Sequence, residues 1–330
     1  MGYNQENYKR IRTEYETKAF RAQEEAELRR EELYREIPEL KEIDGRLGKF
    51  GLRIMQSALQ GENAEAGIEA LRRENEEICR VRAELLRSHG YPADYSEPHY
   101  ECDKCRDSGY VGIKMCSCMR MRLVEAGMAS SGLSSLMRTQ SFDNFSLAFY
   151  RGDAREEEIM TRNLRTVREY AEGFSLEGEK KMQSLLFLGG TGLGKTHLST
   201  AVARRVIEKG YDVFYNSAVG MLSDFEERRF GNGAVAGDGD NTARYTACDL
   251  LIIDDLGTEV VNQFTLSCLY HVINTRLNLQ KPTVISTNLT SQELRRAYSD
   301  RITSRLFGEF IPLAFTGIDI RRQKLQGKRP

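Results

Sequence analysis

No stretch of the chain stays apolar for the roughly 18–20 residues that a bilayer-spanning helix needs, so no membrane span is expected among its 330 residues. Neither sign of charge is in excess: 48 Lys and Arg against 49 Asp and Glu leave a net charge of −1. No global field therefore draws the protein to nucleic acid, and any such contact needs a local basic patch. Proline is scarce, at six residues, and apolar residues make up 40%. That balance marks a folded chain, and the length fits about two domains. The opening MGYNQENYKR lacks the apolar core of a secretory signal, and Glu6 stands where a myristoylation signal needs Ser or Thr. Seven cysteines, an odd number with four of them clustered, point to reduced thiols and a metal rather than to disulfides. A cytoplasmic location is expected.

What is present centres on residues 184–197, SLLFLGGTGLGKTH. An apolar strand (Leu185 to Leu188) runs into Gly189, Gly190, Thr191, Gly192, Leu193, Gly194, Lys195, Thr196 and His197, the P-loop pattern G-x-x-x-x-G-K-[ST]. The glycines let backbone N–H groups approach phosphate oxygens, and the next helix points its positive end at the same anion. Lys195 is expected to reach the β- and γ-phosphates, and Thr196 to ligate Mg²⁺. A second motif, CDLLIIDDLG at 248–257, reads as a buried parallel strand ending in two acids. Asp254 is placed to hold Mg²⁺ and Asp255 to polarise the attacking water. PTVISTN at 282–288 is a further buried strand, whose Asn288 either orients that water or caps the strand end. SDRITSRLFG at 299–308 sets Arg301 and Arg305 one helical turn apart. They form either a solvated basic face or an arginine supplied to a neighbouring subunit's γ-phosphate. Arg321 and Arg322 follow an edge strand.

Upstream, Cys102, Cys105, Cys116 and Cys118 in C-x₂-C-x₁₀-C-x-C spacing read as a closed tetrahedral Zn²⁺ site, structural because no position is left open. An iron–sulfur cluster and a redox thiol pair are the alternatives, and His99 is a possible substitute ligand. Residues 1–95 are charged and helical, with Leu33, Leu40, Leu47 and Ile54 at sevenfold spacing and again Leu71, Ile78 and Leu85. Pro38 and the glycines at 45, 48, 51 and 61 are expected to break them into two or three helices. Such a thin stripe fits either a self-contained hairpin or a partner-binding module. A basic helix from 119, a Ser/Gly-rich linker at 127–135, a strand at Tyr211–Tyr215 and a mobile loop over 231–241 complete the outline. Arg228 and Arg229 are candidates for a phosphate-tracking groove, or simply a solvated face.

Taken together, GGTGLGKTH, LLIIDDLG, STN, RITSRL and DIRRQK, with SFDNF and CxxC…CxC before them, resemble an AAA+ ATPase of the bacterial DnaC/DnaI-type replicative helicase loader family over residues 95–330. The resemblance implies an α/β fold, a parallel five-stranded sheet in order 5-1-4-3-2 flanked by helices. A helical extension (1–95) and a Cys₄ module with linker (96–135) precede the ATPase domain (136–330). It implies Asn288 as sensor 1, Arg305 as arginine finger and Arg321 as sensor 2, with little chain after Arg321 for a helical lid. ATP, Mg²⁺ and Zn²⁺ are the implied cofactors. A replicative DNA helicase, single-stranded DNA and further copies of the chain are the implied partners. An IstB-type transposition helper acting with a transposase shares the ATPase motifs and is the alternative.

Overall fold

The computed structural model describes residues 3–58, 64–137, 139–177, 181–230 and 241–327. The chain divides into two compact units, Arg12–Met119 and Met1–Ile11 with Arg120–Pro330. The expected loop at 231–241 falls, apart from residue 241, outside the described residues.

The helical region contains α1 (Gln5–Glu36), α2 (Pro38–Gly48), α3 (Phe50–Ala58) and α4 (Ala64–Ser88). Pro38 occupies the first turn of α2, where its missing N–H costs nothing. Gly45 and Gly51 do not act as breakers as expected, since each sits within a helix, whereas α2 does end on Gly48. There the roughly 1 kcal/mol per residue that glycine costs is outweighed by tertiary packing. Leu33, Ile37, Leu40 and Leu86 form a buried cluster, covered by Tyr34, Tyr91 and Tyr95. Beside it the half-buried Asp44 receives Arg82 (Nε to Oδ1, 2.6 Å) and the Tyr34 hydroxyl (2.9 Å). The sevenfold stripe is therefore only partly core: Leu33 and Leu40 are buried, whereas Leu47 and Ile54 are half-exposed. The strands β1 (Tyr110–Val111) and β2 (Lys114–Met115) then form a short antiparallel hairpin through Gly112, at φ +60°.

In the larger unit, α5 (Ser117–Ser130) and α6 (Ser134–Met137) lead to α7 (Ala154–Glu172). The expected linker at 127–135 is a correction. The chain is helical to Ser130, Ser131 and Leu133 are fully buried, and the Ser131 carbonyl accepts from the Tyr215 N–H at 2.9 Å. Short apolar and serine side chains here are packed against the sheet rather than left in solvent. Next come β3 (Ser184–Leu188), α8 (Lys195–Glu208), β4 (Val213–Ser217), α9 (Ala218–Phe230), α10 (Arg244–Ala247), β5 (Leu250–Leu256), α11 (Gln263–Asn278) and β6 (Thr283–Thr287). The last elements are α12 (Ser291–Ala297), α13 (Asp300–Glu309), β7 (Phe310–Ala314) and α14 (Ile320–Leu325). β4 begins two residues later than expected because Gly210 (φ +93°) and Tyr211 close the end of α8, donating to Ile207 and Val206 carbonyls.

The five strands pair in parallel in the spatial order β4-β5-β6-β3-β7. Numbered along the chain this is the 5-1-4-3-2 sheet of the AAA+ fold. Because successive strand residues face opposite sides, Leu185 and Phe187 join α7 and α8 in one core. Leu186, Leu251 and Ile253 join α9, α11 and α13 in the other. Both sheet faces are thus covered, as the unbroken apolar strands require.

Candidate nucleotide and metal sites

All the strand ends that carry polar motif residues reach the carboxyl edge of the sheet, where open α/β sheets bind ligands. The P-loop connects β3 to α8, with Gly189, Gly192 and Gly194 at φ +151°, +74° and +86°. A Cβ on Gly189 would lie 2.3 Å from the Phe315 carbonyl, and one on Gly192 2.0 Å from an Asp319 carboxylate oxygen. Glycine is therefore required there by backbone angle and by space alike. Tyr150 holds the loop from behind, its hydroxyl donating to the Leu193 carbonyl at 2.8 Å. The backbone N–H of Ile320, at the start of α14, donates to the Gly192 carbonyl at 3.0 Å.

Thr191 to His197 line a cleft of about 190 Å³ together with Gln140, Asp255, Asn288, Ile320 and Arg321. The Lys195 ammonium donates to the Gly189 and Gly190 carbonyls (2.7 Å each) and to Asn288 Oδ1 (2.5 Å). Asn288 in turn donates to Asp255 Oδ1 at 3.5 Å. Burial lowers the Lys195 pKa, opposed by the two aspartates. Burial, then the neighbouring Asp254 charge, raises that of Asp255. Asp255 also stands at φ +55°, beside a register break between β5 and β6 at Ile253–Leu256. That backbone turns Asp255 into the cleft while Asp254 stays 2% exposed. Asp254 Oδ2 accepts from Thr196 Oγ1 (2.8 Å) and the Tyr215 hydroxyl (2.9 Å), and Oδ1 accepts from Ser286 Oγ. A hydroxyl and a carboxylate side by side are the hard oxygen donors that Mg²⁺ takes, so Thr196 and Asp254 fit that ion. His197 is held by the Ser141 carbonyl (2.9 Å) and packs edge-on to Phe145, which brings the SFDNF segment against the P-loop helix.

The structure thus gathers Gly189 to His197, Asp254, Asp255, Asn288 and Arg321 at one edge. Arg305 is elsewhere. Its guanidinium donates to Asn274 Oδ1 (2.9 and 2.7 Å), the Tyr270 hydroxyl (3.0 Å) and the Arg301 carbonyl (3.0 Å), and lies over the Tyr270 ring. It does not line this chain's cleft. Arg228 donates to Thr242 Oγ1 and Arg229 lies over Phe264, 5.2 Å from its centroid. Sequence reasoning missed Tyr215 and Ser286, which fasten Asp254. Ser286 lay inside the STN motif near the carboxyl end of β6, which was its signal, whereas Tyr215 sits mid-strand on β4 beside the acidic strand and had none.

In the smaller unit the sulfurs of Cys102, Cys105, Cys116 and Cys118 all lie within 4.8 Å of one another. Two of the separations, Cys102–Cys116 at 3.9 Å and Cys105–Cys118 at 3.5 Å, bracket the ~3.8 Å edge of a tetrahedron with metal–sulfur bonds of about 2.3 Å. Four thiolates in that arrangement fit a closed metal site. His99 is not part of the cluster. Asp107, 4% exposed and at φ +54°, shapes the first knuckle by accepting from the backbone N–H groups of Glu101 (2.8 Å) and Cys102 (2.9 Å). No helix of the described residues is long and apolar enough to cross a membrane.

Known proteins resemble this chain over its larger unit. Residues 154–307 match the family described as IstB-like ATP binding protein. The phage-like element PBSX protein XkdC of Bacillus subtilis (strain 168) is 28% identical over 235 residues, covering 67% of this chain and 83% of that protein. The replicative helicase loader DnaC of Escherichia coli (strain K12) is 24% identical over 203 residues, covering 60% of this chain and 75% of that protein. A crystal structure of the DnaC helicase loader aligns at TM-score 0.46 and 20% identity, over 55% of this chain and 99% of that one. With its P-loop, paired aspartates and sheet order, the chain carries an AAA+ ATP-binding unit, similar over residues 154–307 to the IstB-like ATP binding proteins and, over a comparable span, to DnaC.

Proposed function

We propose that this protein is a loader that uses ATP to deliver a replicative DNA helicase onto single-stranded DNA. The observation that carries the ATPase part is the chain of contacts from Lys195 through Asn288 to Asp255, with Arg321 lining the same cleft. The P-loop N–H groups and Lys195 bind the β- and γ-phosphates; Thr196 and Asp254 would hold Mg²⁺, which would supply charge neutralisation at the phosphoryl oxygens. Asp255 orients and polarises water, Asn288 fixes its position, and Arg321 stabilises the γ-phosphate. Arg305, held ready on the α11–α13 surface, serves the site of a neighbouring copy, so the working form is a homo-oligomer. Zn²⁺ in the Cys₄ cluster folds a segment with little apolar core of its own, and residues 1–95 engage the helicase. The protein works in the cytoplasm, with the single strand tracked by basic side chains such as Arg228 and Arg229.

The loader assignment is supported by the DnaC relatives and by the Cys₄ and helical segments ahead of the ATPase unit. The IstB-like family match keeps a transposition helper as the second reading. Capture experiments with the full chain and ATP separate the two. Co-elution with a bacterial replicative helicase, and transfer of that helicase to circular single-stranded DNA, is the expected result. Capture of a transposase with no helicase overturns it.

A further inference from the structure

Tyr215 touches the nucleotide site at one end and the segment after α5 at the other. Its hydroxyl donates to Asp254 Oδ2 at 2.9 Å, sharing that oxygen with Thr196. Its backbone N–H donates to the Ser131 carbonyl, on the edge of the sheet left open by β4. Its carbonyl lies against Gly132, where an added Cβ would come within 2.7 Å at φ +85°. Segment 131–133 is itself tightly held. Ser131 and Leu133 are fully buried, Ser131 Oγ bonds the Met128 carbonyl (2.8 Å), and Arg244 bonds the Ser130 carbonyl (2.9 Å).

We infer that Tyr215 is a positioning residue for the Mg²⁺-holding carboxylate of Asp254, and that it transmits the seating of residues 131–133 to that carboxylate. The inference rests on the ATPase reading above. Asp254 has one oxygen tied to Ser286 inside the sheet and one facing Thr196. The Tyr215 hydroxyl, with Thr196, fixes the rotation of the second. Because one residue supplies both contacts, a shift of the sheet edge at Ser131 moves the phenol and, through it, the carboxylate.

The test measures Mn²⁺ binding, in place of Mg²⁺, by electron paramagnetic resonance on full-length protein with a non-hydrolysable ATP analogue, and turnover against Mg²⁺ concentration. For Tyr215→Phe the expected result is Mn²⁺ binding weakened about fivefold to tenfold, with a matching rise in the Mg²⁺ needed for half-maximal turnover. Analogue affinity in EDTA and the melting temperature should stay close to wild type. Gly132→Ala should shift metal affinity in the same direction, and adding it to Tyr215→Phe should give less than the product of the two effects. If Gly132→Ala does not fold, Ser131→Ala replaces it in the same cycle. Unchanged Mn²⁺ affinity in Tyr215→Phe overturns the positioning role, and multiplicative effects overturn the transmission. A wild-type protein that binds the analogue without any metal dependence overturns the ATPase reading itself, and this inference with it.

Discussion

The Cys₄ segment and the P-loop edge are built in opposite ways. The four sulfurs come from residues 102–118, a run of 17 positions, and the contacts that shape them are mostly local, Asp107 to Glu101 and Cys102 and Ser108 to Cys105, with Tyr15 of α1 reaching Cys118 from afar. The nucleotide site instead joins residues separated by 93 positions (Lys195 and Asn288), 58 (Thr196 and Asp254) and 39 (Tyr215 and Asp254). A local site with little apolar surface needs a metal to close it, whereas a long-range site is held by the two cores on either side of the sheet. The first should fail when a ligand is removed; the second should lose chemistry long before it loses structure.

The sharpest way to break that contrast is Cys102→Ser. Metal content should fall from about one zinc per chain to none, and protease cutting should appear between residues 96 and 119. Analogue binding at the P-loop should change less than about twofold. Equal loss at both sites would mean that the two are not built independently. An iron signal in place of zinc would change the identity of the metal. Lys195→Ala should reduce ATP turnover about 100-fold or more, near 3 kcal/mol in the barrier, with an unaltered melting curve. Turnover within threefold of wild type would remove the assigned site.

Arg276 tests the opposite limit, a long-range contact that is purely structural. It is fully buried, and its guanidinium donates to the carbonyls of Tyr245, Cys248, Asp249 and Pro282 and to Thr283 Oγ1. Arg276→Met strands several buried carbonyls at about 1–3 kcal/mol each, moderated by relaxation. We expect roughly 2–4 kcal/mol lost in chemical denaturation of the ATPase unit, with zinc content unchanged. A loss below about 0.5 kcal/mol would show that water satisfies those carbonyls.

The smallest expected effect concerns pH. Burial and Asp254 raise the Asp255 pKa above the ordinary aspartate value of 3.8. As the group must be ionised to polarise water, the acid limb of turnover should lie above that value, and Asp254→Asn should move it down. For stability the sign is the reverse of a salt-bridged acid: a raised carboxyl pKa penalises the folded state once pH exceeds the unfolded value. Asp255→Asn should therefore stabilise the protein slightly at pH 7 and leave it unaffected near pH 3. Lower stability at pH 7 would mean that the Lys195 attraction outweighs burial.

Motif chemistry was legible in the sequence wherever one short stretch carries the whole requirement. The P-loop glycines, the aspartate pair after an apolar strand and the two cysteine pairs are of that kind, because backbone angle, phosphate approach and ligand spacing are local demands. Glycine as a helix breaker was misleading in α2 and α3, since propensity costs of about 1 kcal/mol yield to packing. The stretch 127–135 read as linker because its small residues say nothing of the sheet edge they cover. Tyr215 and Ser286 on Asp254, the cage around Arg276 and the anchoring of Arg305 on Asn274 and Tyr270 were decided only by tertiary structure. Each depends on which strands and helices become neighbours, and neighbours distant in sequence are chosen by burial of the two cores rather than by any local pattern.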